Sequence, residues 1–417
     1  MSVLAKVRGL DRALLLTAAA LVAFAILILY SAGQTDVPTR AANVWTRQFV
    51  WVGIGLVAAT IVFQVSPRLL EWVAPLLYAF GLLLLVAVLI VGTGAGTATG
   101  TKSWLAIGGH RIGQPAELAK LATVLMLARY LSSLKEPPRS LRDLWIPCAI
   151  VGAPFLLVMK QPDLGSAIVF IGIFFAMLFW AGVRPRMLFM IASPAISLLM
   201  AFSNWSWGIW IVLVIALMVL WRPYVWEWAT VIGLNIATGV AALVLWNRLA
   251  DYQKNRLLSF LNPEADPRGA GYQALQSKTA IGSGGWFGSG LTEGPQKRLA
   301  FLPEQHTDFV FSVVGEELGF IGVVVALGLF LALFMILVRV ARRAADPFSS
   351  LVVFGILGLW FTHIFENVGM TINIMPITGI PLPFFSYGGS FFLICSLCLG
   401  LSLRVAWDSR LAGYTDW

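Results

Sequence analysis

The sequence predicts an all-α protein that crosses a membrane about twelve times. Of its 417 residues, 59% are hydrophobic and only 12% are charged, and the mean hydropathy is +0.84. Soluble domains are about 45–50% apolar and about 25% charged. A soluble chain of this length could not hide so much apolar surface without large exposed patches. The composition therefore excludes soluble enzymes, secreted modules and disordered regulators.

The second observation is the number of long apolar runs. A helix of about 17–25 apolar residues crosses a hydrocarbon core of about 30 Å. Such runs lie near 13–32, 47–64, 70–92, 116–134, 143–160, 165–183, 187–202, 206–221, 227–246, 309–339, 349–371 and 384–406. The first is too long for the apolar core of a signal peptide, which predicts a retained helix. The runs 187–202 and 206–221 are short, which leaves open a hairpin or a partly re-entrant segment.

The third observation is the distribution of Lys and Arg between the two sets of loops. The side that carries the N-terminus holds fifteen: Lys6, Arg8, Arg12, Arg68, Lys135, Arg139, Arg142, Arg184, Arg186, Arg222, Arg339, Arg342, Arg343, Arg404 and Arg410. Short loops on the other side hold five: Arg40, Arg47, Lys102, Arg111 and Lys160. The positive-inside rule therefore predicts that both termini are cytoplasmic. The net charge of +9 then reflects topology rather than nucleic-acid binding.

This topology predicts a single polytopic domain, 1–417, with two notable loops outside the cytoplasm. One covers 93–115. The other, 247–308, has about sixty residues, far more than an ordinary connection, and loops of such length in compact proteins are usually functional. Most of the non-membrane chemistry of the chain lies in these two loops.

Glu117 and Lys120 open one predicted span, three residues apart on one helix face. Pro115 suits the first turn of a helix, and Glu117 suits its positive end. A charge near the bilayer centre is energetically costly, so an ionisable residue within a span is taken as functional by default. Two interpretations stay open: an internal salt bridge that holds helices together, or a contact to an anionic substrate just below the outer surface.

Asp308 stands immediately before the span 309–339, at the outer interface. A carboxyl group half withdrawn from water suits a general base that takes a proton from a sugar hydroxyl. A helix N-cap at Thr307 or Asp308 explains the residues equally well. Glu316 and Glu317 would lie about 12 Å deeper. Their candidate partners are Lys120, His363, Arg256 and Asn367.

Two further features carry polar groups. His363, Glu366 and Asn367 fall at i, i+3 and i+4, so they form one stripe that faces the bundle interior. A metal site there is disfavoured, because the chain has only three histidines and no second local ligand pair. The glycine-rich stretch 282–290 is either a flexible or closely packed loop, or a set of backbone N–H groups that approach a phosphate or sugar.

Seven segments, in order, resemble one family. After Trp104 they are QPAELAK at 114–120, QPDLG at 161–165, NPEADPRGAGYQ at 262–273, QSKTAIGSGG at 276–285, LPEQHTDF at 302–309, EELG at 316–319 and PLPFFSYGGS at 381–390. These segments resemble the SEDS family (shape, elongation, division and sporulation), and the resemblance spans nearly the whole chain.

The resemblance implies a peptidoglycan glycosyltransferase that polymerises lipid II at the outer face of the bacterial cytoplasmic membrane. It implies Asp308 as the catalytic residue, the general base of an inverting reaction. The implied substrate-binding residues are Trp104, Arg111, Gln114, Glu117, Lys120, Asp163, Arg256, Gln276, Ser277, Lys278, His306, Thr307, Glu317 and Ser386. Lys120, Lys278, Arg256 and Arg111 would stabilise the departing pyrophosphate. No cofactor is firmly implied, and a divalent cation stays open.

The implied partners are lipid II, membrane lipid and a class B penicillin-binding transpeptidase, with no nucleic acid. The segments 276–285 and 367–370 look more like the elongation type than the division type. Ala116 stands where the family usually has Ser, and Ser103 where many members have Arg. The family usually has ten spans, so two short ones are extra. Two alternatives are a flippase for the lipid-linked precursor and a noncatalytic scaffold for the transpeptidase.

Overall fold

The computed structural model describes residues 10–39, 41–94, 103–107, 110–248, 254, 271–411 and 413, and it confirms the all-α prediction. The helices are α1 Arg12–Ala32, α2 Val44–Phe63, α3 Pro67–Val91, α4 Pro115–Ser133, α5 Trp145–Lys160, α6 Leu164–Trp180, α7 Pro185–Met200, α8 Asn204–Trp221, α9 Val225–Arg248, α10 Tyr272–Ser283, α11 Pro295–Arg298, α12 Val310–Arg342, α13 Pro347–Thr371 and α14 Gly389–Leu411. A 3-10 turn at Leu141–Leu144 leads into α5.

Each of the twelve apolar runs coincides with one helix. Among the described residues, nine helices are long and apolar enough to cross a membrane, and α6 and α7 are shorter apolar helices. The remaining one, α4, carries three charged residues in its 19 positions. The runs 187–202 and 206–221 form a helical hairpin, α7 and α8, joined at 201–203.

The loop 93–115, predicted to lie outside the cytoplasm, contains a small hairpin. Its strands, β1 Leu105–Ile107 and β2 His110–Gly113, pair antiparallel. Trp104 extends the pairing backwards, since its backbone N–H and C=O bond to Thr93 at 3.2 and 2.9 Å. Pro115 then occupies the first turn of α4 with Glu117, as the sequence predicts. The hairpin therefore leads the chain directly into the charged start of α4.

The centre of the bundle is α13. Of its apolar window 78% is buried, against 11% for α2. It packs against α6, α12 and α4. Small residues permit this close approach: a Cβ at Gly172 of α6 would collide with Thr362 Oγ1 of α13, and one at Gly358 would lie 2.5 Å from Ala176 Cβ. Such small-residue contacts are typical of helices packed within membranes.

Helices α7, α8 and α9 form a separate group at the periphery. They share a small core of Met190, Val214, Met218 and Val231. Asn235 of α9 donates to Ser193 Oγ at 2.8 Å and accepts from Trp210 Nε1 at 3.1 Å. Hydrogen bonds of this kind hold helices together where lipid provides no hydrophobic drive. The two short runs 187–202 and 206–221 therefore belong to this group, as α7 and α8.

Helix α12 is not the continuous span that the sequence predicts. Gly319 has φ 61° and ψ −157°, and the helix is broken there. The glycine-rich stretch provides hydrogen-bond partners for the backbone groups at the break. Ser289 and Gly290 donate to the carbonyls of Glu316 and Glu317, and Phe320 donates to Gly285 O. Because backbone groups in a membrane must be satisfied within the protein, this segment functions as a closely packed support. Its N–H groups at 289 and 290 are already engaged.

We expect Gly319→Ala to destabilise the fold by about 1–3 kcal/mol, because this φ/ψ region is essentially restricted to glycine. The new Cβ would also lie 2.4 Å from Gly288 N. The measurement is thermal unfolding of the purified protein in detergent. Gly328→Ala on the same helix is the control, since its Cβ meets nothing within 4 Å. Equal unfolding temperatures for the two variants would contradict the argument.

Candidate functional site

The site lies where two non-helical segments meet, 304–309 before α12 and 378–387 before α14. Ser386 Oγ donates to Thr307 O at 2.6 Å and accepts from Leu382 N at 2.8 Å. Tyr387 N donates to His306 O at 3.1 Å. The predicted site residues His306, Thr307 and Ser386 therefore come together through hydrogen bonds that join the two segments into one unit.

Asp308 is half-buried at the centre of this unit. The amide of Asn367 donates to Asp308 O at 2.8 Å and to Ile380 O at 2.6 Å. A Cβ at Gly379 would lie 3.1 Å from Asp308 Oδ2. Gly379 has φ +74°, a left-handed conformation that suits glycine. The carboxylate therefore lies close to Gly379, and Asn367 of α13 bonds to both segments.

The N-cap alternative receives no support from Thr307. Its hydroxyl donates to Glu304 Oε2 at 3.2 Å and Glu304 O at 3.3 Å. Helix α12 begins after Phe309, which caps it without a side-chain hydrogen bond. His306 is buried, and its ring lies 6.1 Å from that of Tyr387.

The salt-bridge interpretation of α4 agrees with the geometry. Lys120 Nζ lies 2.7 Å from Glu117 Oε1, and the two residues are 0% and 3% exposed. The ammonium also lies 3.1 Å from His363 Nε2 of α13. An ion pair this deeply buried requires several partners to offset its lost hydration. Lys120 thereby connects α4 to the central helix.

Gln114 and Asp163 form a second contact at the outer ends of helices. Gln114 Nε2 donates to Asp163 Oδ2 at 2.9 Å. The other carboxylate oxygen caps α6 by accepting from Ser166 N at 3.0 Å. The structure thus brings these two predicted site residues together at the start of α4 and α6.

The predicted residues on α10 differ in exposure. Ser277 is fully buried, where its hydroxyl donates to Thr371 O and contacts Ser312 Oγ, both at 2.7 Å. Gln276 is half-buried and Lys278 is exposed. Ser277 therefore fixes α10 against α12 and α13, while Lys278 points away from that contact.

The observed partners of Glu316 and Glu317 differ from the expected Lys120, His363 and Asn367, while Arg256 lies outside the described residues. Glu317 pairs with Lys297 at 2.8 Å and accepts from Ser31 Oγ at 2.7 Å. Glu316 accepts from the backbone N–H groups of Gln296 and Lys297 at 2.6 and 3.3 Å. The chain before α12 folds back over the first turns of α12, so its own lysine reaches the carboxylates. Glu317, predicted to bind substrate, is fully buried in this cluster.

Three remaining predictions concern the outer loops. Trp104 is half-buried beside the hairpin. Arg111 lies in β2, paired through its backbone with Ala106. Arg256 lies outside the described residues, so its place in the site stays a prediction.

The polar stripe on α13 faces the bundle interior, as predicted. His363, Glu366 and Asn367 are 0%, 1% and 0% exposed. Thr378 Oγ1 donates to Glu366 Oε2 at 3.4 Å. Within the described ranges, no group of three or more His, Cys, Asp or Glu side chains is arranged to hold a metal ion.

Comparison with known proteins decides the family. The profile of the FtsW/RodA/SpoVE family, described as cell cycle protein, matches residues 11–208 and 190–411. The chain belongs to this family. The resemblance of the seven segments is thereby confirmed, and so is the integral membrane character of the chain. The two matched ranges overlap at 190–208, within the α7–α8 hairpin.

Relatives cover almost the full length. The peptidoglycan glycosyltransferase MrdB of Escherichia coli K12 is 35% identical over 95% of this chain and 93% of its own. The peptidoglycan glycosyltransferase RodA of Treponema pallidum is 34% identical over 96% and 99%. A probable peptidoglycan glycosyltransferase FtsW of Trichlorobacter lovleyi is 34% identical over 97% and 95%. RodA and FtsW relatives are equally similar, so identity alone does not separate elongation from division.

Solved structures share the fold. A chain from a peptidoglycan synthase complex that coordinates polymerization and crosslinking matches with a TM-score of 0.73 and 30% identity, over 98% of this chain and 99% of that one. The rod shape determining protein RodA of Thermus thermophilus matches with a TM-score of 0.63 and 28% identity, over 98% of both chains.

Proposed function

We propose that this FtsW/RodA/SpoVE family member is a peptidoglycan glycosyltransferase that polymerises lipid II at the outer face of the bacterial cytoplasmic membrane. One observation carries the proposal: Asp308 is half-buried where two non-helical segments meet, with its backbone carbonyl bonded by Asn367 and its carboxylate close to Gly379. The full-length similarity to peptidoglycan glycosyltransferases supports the same reaction.

Asp308 acts as the general base. It takes the proton from the 4-hydroxyl of the acceptor sugar, and that oxygen attacks the anomeric carbon of the donor. The bond from this carbon to the undecaprenyl pyrophosphate breaks with inversion, and the pyrophosphate leaves with the electron pair. A base held in position contributes about 10²–10⁴-fold to such a reaction.

The departing pyrophosphate requires cationic partners. Lys278 is exposed on α10 and is therefore the described lysine of the site best placed to meet a ligand. Lys120 is fully buried against Glu117 and His363. We therefore assign Lys278 to direct contact and Lys120 to the support of the site.

The orientation follows from charge. Fifteen Lys and Arg on the side of the termini, against five in short loops opposite, support cytoplasmic termini and an outward-facing site. Alkaline phosphatase is inactive in the cytoplasm. Fused to the C-terminus, it should therefore be inactive if this orientation is correct.

A class B penicillin-binding transpeptidase is the proposed partner, and elongation is the proposed process. Similarity to a chain from a synthase complex that polymerises and crosslinks peptidoglycan supports the partner. The elongation-type segments 276–285 and 367–370 support the process.

The test is glycan polymer formation from labelled lipid II by the purified chain, alone and with its cognate transpeptidase. We expect long strands from at least one of these preparations. If neither yields polymer while the same protein moves lipid II across vesicles, the chain is a flippase. If neither activity appears, it is a scaffold.

A further inference from the structure

A chain of buried polar contacts runs from α4 to the backbone beside Asp308. Lys120 Nζ lies 3.1 Å from His363 Nε2, and His363 Nδ1 lies 3.0 Å from Pro381 O. Lys120 and His363 are each 0% exposed. Among the described residues, the side chain of His363 thus links the Glu117–Lys120 pair to the segment 378–382.

These contacts define one form of the imidazole. A lysine ammonium can only donate, so Nε2 of His363 must accept from Lys120. The ring proton is then on Nδ1, where it donates to Pro381 O. Phe391 of α14 stacks on the ring, with centroids 4.7 Å apart and planes at 24°. The ring plane, the tautomer and both hydrogen bonds are therefore fixed together.

Pro381 lies two residues after Gly379, where an added Cβ would lie 3.1 Å from the carboxylate of Asp308. The same face of α13 holds the neighbouring positions. Asn367 donates to Ile380 O, and Glu366 accepts from Thr378 Oγ1. His363 adds a contact to Pro381 O and connects the segment 378–382 to a second helix, α4.

We propose that His363 is a positioning residue of the glycosyltransferase reaction: by donating from Nδ1 to Pro381 O, with Lys120 fixing the tautomer, it holds the segment 378–382 beside Asp308. The inference rests on the proposed function and deepens it. His363 touches neither substrate nor the reacting atoms in this arrangement. Its effect is on geometry at the base, where a misplacement of about 1 Å costs up to about 100-fold in rate.

The test is steady-state polymerisation by the full chain, with its cognate transpeptidase where polymerisation requires it. His363→Phe keeps the ring on Phe391 and removes both hydrogen bonds. We expect kcat to fall about 10- to 100-fold with KM for lipid II within about 2-fold of wild type. His363→Asn places its amide nitrogen where Nδ1 lies, so it keeps the donor to Pro381 O and restores kcat to within about 5-fold.

Thr362→Val is the matched control on the same helix. Its hydroxyl bonds only within α13, to Gly358 O at 2.8 Å, so wild-type kinetics are expected. The inference is overturned if His363→Phe keeps wild-type kcat, if its loss appears in KM alone, or if His363→Asn is as slow as His363→Phe. If His363→Phe does not fold, His363→Gln replaces it, because its amide reaches Lys120 but not Pro381. The same fall in kcat is then expected, and a wild-type kcat overturns the inference.

Wild type and Asp308→Asn in the same assay distinguish a failure of the proposed function from a failure of the inference about His363. No polymer from wild type is a failure of the proposed function. Polymer from wild type, none from Asp308→Asn and full activity from His363→Phe is a failure of the present inference alone.

Discussion

Asp308→Asn is expected to lower the polymerisation rate by about 100-fold or more, because the amide cannot accept the proton of the acceptor hydroxyl. The substitution is nearly isosteric, and the contact from Asn367 to this residue is made to the backbone carbonyl. The segments around position 308 should therefore keep their arrangement. The measurement is strand formation from labelled lipid II, with unfolding temperature as the check on folding.

The control is Asp36→Asn. Asp36 lies in the segment between α1 and α2, where it pairs with Arg298 at 3.1 Å, and both side chains are about half exposed. Losing an exposed pair costs only about 0–1 kcal/mol, so activity should be unchanged. Polymer from folded Asp308→Asn at the wild-type rate would remove Asp308 as the base.

The membrane architecture is readable from the sequence because each span must satisfy its own backbone and present apolar side chains. The periodic runs and the charge asymmetry need no tertiary information. The break at Gly319 is different, since a single glycine in an apolar run predicts no particular geometry. The break can be explained only from the structure, in which the stretch 285–290 supplies the backbone hydrogen-bond partners that the helix lacks there.

The candidate site also combines features that the sequence predicts with features that only the tertiary structure reveals. The motif around Asp308 marks it as important, and its partner Asn367 belongs to a stripe that periodicity places inside the bundle. Lys297 carries no comparable signal. It lies in the short helix α11 beside Arg298, which is exposed, whereas Lys297 itself is fully buried. Only the path of this segment over α12 decides which of the two basic neighbours meets Glu317.

Lys297→Met is expected to destabilise the protein by about 3–5 kcal/mol, the typical cost of leaving a buried charge without its partner. Lys297 Nζ lies 2.8 Å from Glu317 Oε1 and 3.0 Å from Ser31 O, and neither charged side chain is exposed to solvent. The pair therefore joins α1, α11 and α12. The measurement is the free energy of unfolding in detergent.

Two comparisons separate the uncompensated charge from the lost packing of the lysine. In Lys297→Met/Glu317→Gln neither charge remains, and Gln still accepts from Ser31, so at least about half of the lost stability should return. Arg298→Gln removes the adjacent exposed charge and should cost about 0–1 kcal/mol. If the double variant is as unstable as Lys297→Met, the loss arises from packing. If Arg298→Gln is equally unstable, burial is not what distinguishes the two neighbours.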